Sequence, residues 1–500
     1  MLGNSFRFPL DMLTVDPSSS TDIYRQIESW LRDAILDGRL KSGERLPSSR
    51  NLADTLNVSR STVITAYSML AEEGLIVTLK GSGTRVANHF PRQVEAMRWA
   101  QAAKTASSVV LAERCKQLLG SDRYVMIHER PSAQPFRPHT PDFKAFPDKI
   151  WAQLTKQRLE RRSTFWKEAC PPQGYQPLRR VIADYVGASR GMSVDADQIL
   201  ITSGTQNSIL LIAKMLINVG DTVAFEDPGY RPAANVFEME GASILSIPVD
   251  DNGIDVDLLT RQANNIKLVY LTPSSQFPLG SSLSPARRQA LLGWATKKNV
   301  LILEDDYNGE YRFSGKPLTT MYSMAEQAQV LYLGSFSKLL FPGLRLGYIV
   351  APKSLVQPLA TLRWYFDRHS PALEQAVLSD FINEGHFSRH LRRMRTLYAS
   401  RQQALVAAIN QYLSGIMYAS PQEIGLHLIG WLEPGIDEHD FLAAAISIDI
   451  ELVPVSQFCF AGLAKPGFIL GYAPYSPEEI RQSIKALGRA YLQLINQRQL

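Results

Sequence analysis

"VLYLGSFSKLLFPGLRLGY" (residues 330–348) opens as a short apolar run and then sets one lysine between serines and apolar side chains. Val330–Leu333 reads as a buried strand, and Lys338 follows it closely. An amine in such surroundings is costly unless it is paired, exposed or chemically used. The pattern repeats upstream. "QILIT" (198–202), "TVAFE" (222–226), "KLVYLT" (267–272) and "VLILED" (300–305) are apolar runs separated by helical stretches. This is the rhythm of an α/β fold: a mostly parallel sheet with helices on both faces. From about residue 370 the chain is helix-rich, then gives strand patterns at "LHLIGWL" (426–432) and "FILGY" (468–472), predicting a smaller C-terminal α/β subdomain.

Bulk properties bound the rest. Five hundred residues exceed one ordinary core, and 45% hydrophobic with 20% charged residues is the balance of a globular protein. The chain holds no secretory h-region and no apolar run of membrane-spanning length, so a cytoplasmic protein with no membrane partner is expected. Cys115, Cys170 and Cys459 lie far apart without metal-ligand spacing, which predicts reduced thiols and no metal site. The net charge of +5 permits nucleic-acid binding but argues for it weakly.

The N-terminal segment carries equal numbers of basic and acidic residues over 1–88, so any nucleic-acid surface there must be local, such as Arg39, Lys41, Arg45, Arg50 and Arg60. Ile27, Trp30, Leu31, Ala34 and Ile35 recur with helical spacing, and Gly38 is a stop signal. "LPSSRNLADTL" (46–56) starts a second helix with capping serines, and "VSRSTVITAYSMLAEEGL" (58–75) makes a third after a tight turn at Asn57. Val63, Ala66, Tyr67 and Leu70 form its buried stripe. "LIVTLKGSGTRVA" (75–87) reads as strand, glycine-rich turn, strand. Three helices and a hairpin make a winged helix-turn-helix, whose recognition helix presents its N-terminal end to base edges. Here that end holds Ser59 as N-cap, Arg60 for guanine or phosphate, and Thr62 for phosphate. Arg50 opens the preceding helix on the same side; Lys80, Gly81 and Gly83 form the wing turn.

Order and spacing over residues 22–88 resemble the winged-helix head of the GntR family, and the resemblance implies double-stranded operator DNA as partner, contacted by Arg50, Arg60, Thr62 and the wing. The expected domains are residues 20–88 as the DNA-binding head, 89–132 as a linker partly helical in "VEAMRWAQAAK" (94–104), and 133–500 as the body.

A buried amine can form a Schiff base with an aldehyde, for which pyridoxal 5'-phosphate is the usual source. Such a site needs a phosphate cup, an acid for the pyridine nitrogen, a donor to the phenolic oxygen and a flat group over the ring. "ITSGTQNS" (201–208) passes from strand to helix, aiming the Gly204 and Thr205 amides at an anion, with Gln206 beside them. Ser335, Ser337 and Arg345 flank Lys338 and complete the cup. Asp305 ends a strand, Tyr307 follows two residues later, and Tyr230 stands in "DPGY" (227–230) after another strand.

"SFSK...PG.R.G" and "EDDY" are similar to the cofactor signature of fold-type-I aminotransferases. Head and body together resemble the MocR/GabR subfamily of GntR-type regulators. The resemblance implies Lys338 as the Schiff-base lysine, Asp305 on the pyridine nitrogen, Tyr307 on the phenolic oxygen, Tyr230 stacked on the ring, and Gly204, Thr205, Ser335 and Arg345 on the phosphate. It also implies a homodimer whose heads lie over the partner's body.

Three departures bear on activity. In "SSQFPLG" (274–280) Phe277 stands on the asparagine that aminotransferases direct at the phenolic oxygen, with Gln276 as a substitute. Ala169 stands where a tyrosine reaches the neighbouring subunit's phosphate. Ile469 stands where an arginine clamps the substrate carboxylate; Lys465 is the cation nearby, and Arg231 is an alternative clamp. The expected function is therefore a transcriptional regulator sensing a small amine, amino acid or B6 vitamer through its cofactor. The alternative is an active aminotransferase carrying a DNA-binding head.

Overall fold

The computed structural model describes residues 13–19, 21–36, 39–79, 83–87, 110, 112, 114–116, 135–138, 140–160, 167–262, 265–314, 319–325, 330–462 and 465–499. The expected stop at Gly38, the wing residues Lys80 and Gly81, and the helix at 94–104 lie outside them. The chain divides into two compact units, residues 1–112 and 113–500. Among the described residues no helix is long and apolar enough to cross a membrane.

In the first unit, α1 (Ile23–Leu36), α2 (Ser49–Leu56) and α3 (Arg60–Glu72) precede an antiparallel hairpin of β1 (Ile76–Leu79) and β2 (Gly83–Val86). Ile27, Leu31, Ala34 and Ile35 of α1 are fully buried, as the helical period requires. Trp30 lies at the edge of that stripe, half-buried, with the Arg39 guanidinium 5.1 Å from its ring centre. Val63, Ala66, Tyr67 and Leu70 of α3 meet the α1 stripe in one core. Asn57 turns the chain between α2 and α3 in the left-handed region, φ 52°.

The second unit is built on an eight-stranded sheet in the order β3-β10-β9-β8-β7-β4-β5-β6. The strands are β3 (Ile199–Thr202), β4 (Thr222–Asp227), β5 (Ser243–Asp250), β6 (Gly253–Ile254), β7 (Ile266–Leu271), β8 (Leu301–Asp306), β9 (Val330–Ser335) and β10 (Gly347–Val350). The central run from β9 to β5 is parallel throughout. β10, absent from the sequence expectation, is inserted antiparallel between β3 and β9. Alternation sends Leu200, Leu303, Leu333 and Ile349 into a core on one face and Ile199, Ile201, Tyr332 and Val350 into a core on the other.

This insertion positions the site. β4, β8 and β9 end at one edge of the sheet, at Asp227, Asp306 and Ser335, and the chain returns to that edge through residues 336–346 before β10 begins. Gly347 pairs with both Thr202 and Ser335, so the exits of β3 and β9 and the entry of β10 converge. A Cβ on Gly347 would stand 3.0 Å from the Gly334 carbonyl oxygen and 3.1 Å from Gly204 Cα; the convergence needs glycine there.

The smaller subdomain is an antiparallel sheet in the order β11-β12-β14-β13, with β11 (Met417–Tyr418), β12 (His427–Leu432), β13 (Val453–Pro454) and β14 (Gly467–Gly471). β12 and β14 are the two strands expected in this region. The 27-residue helix His386–Tyr412 precedes them and packs on the last helix, Pro477–Gln499.

Candidate functional site

Lys338 lies in the loop between β9 and β10 at the sheet edge. Burial lowers its amine to a pKa of about 8; Arg345 acts in the same direction and Asp305 opposes both. Asp305, on β8, is 3% exposed. Burial raises its carboxyl to about 7, while a hydrogen bond from the Tyr270 hydroxyl pulls it down. That bond runs from Tyr270 on β7 to Asp305 Oδ2 at 2.7 Å. Asp305 Oδ1 is buried with no hydrogen-bond partner.

The candidate cup forms where the turn after β3 meets the entry of β10. Gly204 is the N-cap of helix Thr205–Leu216 and has φ 100°, ψ 171°, a region open essentially to glycine. Its missing side chain would stand 3.7 Å from the Arg345 guanidinium carbon, so a cation sits against the helix N-terminus. Arg345 is itself left-handed, φ 49°. Gln206 donates to the Pro232 carbonyl at 3.3 Å, while its Oε1 is buried without a partner, as is the hydroxyl of Ser337. Ser335 is buried at the end of β9. The structure thus brings Lys338, Asp305, Gly204, Thr205, Gln206, Ser335, Ser337 and Arg345 to one sheet edge. Unmet acceptors and hydroxyls of this kind cost about 1–3 kcal/mol each. They suit a small group bearing a phosphate and a protonated ring nitrogen.

Above this edge lies an apolar cluster of Phe277, Ile429, Val455, Phe458 and Ile469, with Tyr230 and Tyr307 at its margin. Phe277 is its hub: its ring centre is 5.5 Å from that of Tyr230, 6.1 Å from Tyr307 and 4.9 Å from Phe458, each edge-on. Ile469 is fully buried on β14, paired with Ile429 and Val453. The cations considered for a carboxylate clamp are engaged elsewhere. Lys465 lies over the rings of Tyr418 (4.4 Å) and Trp431 (5.3 Å), and Arg231 over Phe460 (4.2 Å). Gln276 does not take the place of the missing asparagine. Its amide nitrogen donates to the Pro228 and Phe277 carbonyls and its oxygen accepts from the Leu279 amide, so it braces its own loop against the turn after β4. Ala169 is exposed and offers no side-chain donor.

Two site residues escaped the sequence reading. Tyr270 is one; its local signal is a hydroxyl in the buried apolar part of β7, Leu268–Leu271. His427, on β12, is the other. Its Nε2 lies 3.0 Å from the Pro278 carbonyl and its ring 5.9 Å from that of Phe277. Burial first, then Lys338, lowers it to about 4, so it is neutral near pH 7, and a carbonyl partner requires the proton on Nε2.

In the head, Ser59 caps α3: its hydroxyl accepts from the Thr62 amide at 3.1 Å and lies 2.7 Å from the Thr62 hydroxyl. Arg60 is exposed at that helix end, and its Nε lies 3.3 Å from the Ser49 hydroxyl, tying the starts of α2 and α3 together. Arg50 is exposed one residue further along α2. Gly83 faces the Arg45 guanidinium, 3.3 Å from where its Cβ would stand. Arg50, Ser59, Arg60 and Thr62 are therefore gathered around one helix end.

Residues 23–86 match the family of bacterial regulatory proteins, gntR family, and residues 141–482 match aminotransferase class I and II. The chain is 35% identical to the probable rhizopine catabolism regulatory protein MocR of Rhizobium meliloti, over 97% of this chain and 96% of that one. It is 28% identical to the pyridoxine biosynthesis transcriptional regulator PdxR of Corynebacterium glutamicum, over 96% and 98%. Among solved structures, the α-aminoadipate aminotransferase LysN of Thermus thermophilus superposes with a TM-score of 0.67 at 27% identity, covering 80% of this chain and 99% of that one. With a gntR-type head and an aminotransferase-like body matched along nearly its whole length, the chain belongs to the MocR type of gntR-family transcriptional regulators.

Proposed function

We propose that the body binds pyridoxal 5'-phosphate at Lys338 and that the head binds double-stranded operator DNA, with a small amine, amino acid or B6 vitamer as effector. The observation that carries this reading is the convergence of a half-buried amine lowered to about 8, a buried carboxyl with an unmet oxygen, and an arginine at a helix N-terminus. When bound, the cofactor supplies an aldehyde carbon that condenses with an amine and releases water. The chain's own residues prepare for it. Burial raises the share of the Lys338 amine that is neutral. Asp305, steadied by Tyr270, would accept a hydrogen bond from the protonated ring nitrogen through its unmet oxygen. Gly204, Thr205, Ser335, Ser337 and Arg345 would hold the phosphate, Tyr230 would cover the ring, and Tyr307 would serve the phenolic oxygen.

The apolar cluster around Ile469 favours sensing over turnover, because a carboxylate entering it would lose its water without gaining a guanidinium. Regulation then requires that the effector bind one arrangement of the protein more tightly than another. A homodimer with two heads on two half-sites, each head carried over the partner's body, completes the proposal.

The test is spectroscopic. The loaded full-length protein should show an absorbance band near the visible edge that borohydride fixes onto Lys338, and Lys338→Ala should lack it. Amines, amino acids and B6 vitamers are then screened for a shift of that band with and without operator DNA. A Lys338→Ala protein that retains the band overturns the assignment.

A further inference from the structure

Strand alternation turns Asp306 to the face of β8 opposite Asp305. There Arg190 donates through Nε to Asp306 Oδ2 at 2.8 Å and meets Glu310 at 2.9 Å. Beyond this buried group lies a cavity of about 260 Å³, lined by the side chains of Arg190, Arg312 and Arg395 and by Ser189, Ser274 and Ser314. Among the described residues that line it, none carries a carboxylate.

Charge matching around the cavity is uneven. Arg190 is compensated by two buried carboxylates. Arg312 has one ion-pair partner, Glu423, whose side chain is 63% exposed, and such a pair is worth little in water. The Nε and Nη1 of Arg312 are buried with no hydrogen-bond partner, a costly state for a charged donor. Arg395 donates to the Glu310 main-chain carbonyl and, among the described residues, has no carboxylate within ion-pair distance. Arg395 therefore brings an unpaired charge to one wall and Arg312 a charge met only by an exposed carboxylate, with two open donors, and three hydroxyls stand nearby. Guanidinium forks bind oxyanions through paired hydrogen bonds, more strongly than neutral donors do. A water occupies about 30 Å³, so the space accommodates a phosphate-sized anion with its remaining hydration.

We propose that this cavity is a binding site for a small multivalent oxyanion, a phosphate or a dicarboxylate, separate from the Lys338 site. It does not rest on the cofactor reading. The site joins the loop after β8, which begins two residues beyond Asp305, to Arg395 of the long helix and to Ile424, just before β12. An anion there would hold these elements together.

The test is calorimetric titration of full-length protein with inorganic phosphate and, separately, with malonate. The protein is first saturated with pyridoxal phosphate and reduced with borohydride, so that the cup beside Gly204 is filled. Failure to load would count against the cofactor reading alone; the malonate titration then proceeds on the unloaded protein. One anion per chain should bind, and Arg395→Gln, at an exposed position, should weaken it about tenfold without changing the melting temperature. Ser314→Asp, which sets a carboxylate into the lining, should abolish it. Binding of phosphate alone identifies a phosphoryl ligand, and of malonate alone a dicarboxylate; each supports the proposal. No heat with either anion, or binding that survives both substitutions, overturns it.

Discussion

The Tyr270 hydroxyl donates to Asp305 Oδ2 at 2.7 Å, joining two adjacent parallel strands at the edge where Lys338 returns. This bond holds a buried carboxyl toward its ionised form, against burial that drives it the other way. Tyr270→Phe should therefore leave the fold intact and weaken pyridoxal phosphate binding about tenfold, the worth of one hydrogen bond to a charged group. Fluorescence titration of the unloaded protein measures it.

Asp305 itself should trade stability against binding. Its folded carboxyl keeps a proton to about pH 7, whereas an unfolded one loses it near 3.8. The unloaded protein accordingly loses stability as pH rises through that window. Asp305→Asn removes the titration and should be more stable than the parent by about 1–3 kcal/mol at pH 8, while losing most cofactor affinity. Urea unfolding at pH 5 and pH 8 checks the pH dependence, and a parent whose stability is flat across that range would contradict it.

The Lys338 amine should react at unusually low pH. With a pKa of about 8, about a fifth is neutral near pH 7.4, against roughly one part in a thousand for an ordinary lysine. The rate of cofactor attachment to unloaded protein should climb through pH 8 and level off above it. A rate still climbing steeply beyond pH 9 would place the amine in water.

Gly204→Ala should cost about 1–3 kcal/mol, because φ 100° with ψ 171° strains any L side chain. The clash is small, since the new methyl would lie 3.7 Å from Arg345. Backbone strain alone should thus lower both the urea midpoint and the affinity for pyridoxal phosphate.

Restoring the aminotransferase arginine should damage the protein instead of activating it. Ile469→Arg places a charge in a fully buried apolar cluster and should cost about 3 kcal/mol or more, against about 0.5–1.5 kcal/mol for Ile469→Val. In the head, Ser59→Ala should lose about 1 kcal/mol of helix capping. Arg60→Ala should cost about 1–3 kcal/mol of operator affinity if it reads a base, or lower the salt slope by about 1 if it holds a phosphate.

How far the site is legible from the chain depends on how local each signal is. Gly204, Lys338 and Arg345 belong to short motifs whose turn chemistry and spacing single them out as candidates, and the third helix of the head announces itself through Ser59 and its buried stripe. Tyr270 and His427 act across strands distant in sequence, so nothing beside them marks their role. The same holds for β10, whose antiparallel place between β3 and β9 is a matter of pairing, and four apolar residues do not reveal their partners. Gln276 shows the opposite failure: a side chain suited to the proposed ligand is spent on backbone carbonyls of its own loop and of the turn after β4.

Arg345 carries a last consequence, in time. Its backbone is fixed in the left-handed region beside the N-terminus of the helix that Gly204 caps, while its guanidinium stays exposed. An anion arriving at Gly204 therefore meets a charge that stands in place before it comes, and on the proposed reading that shortens the search at the start of binding.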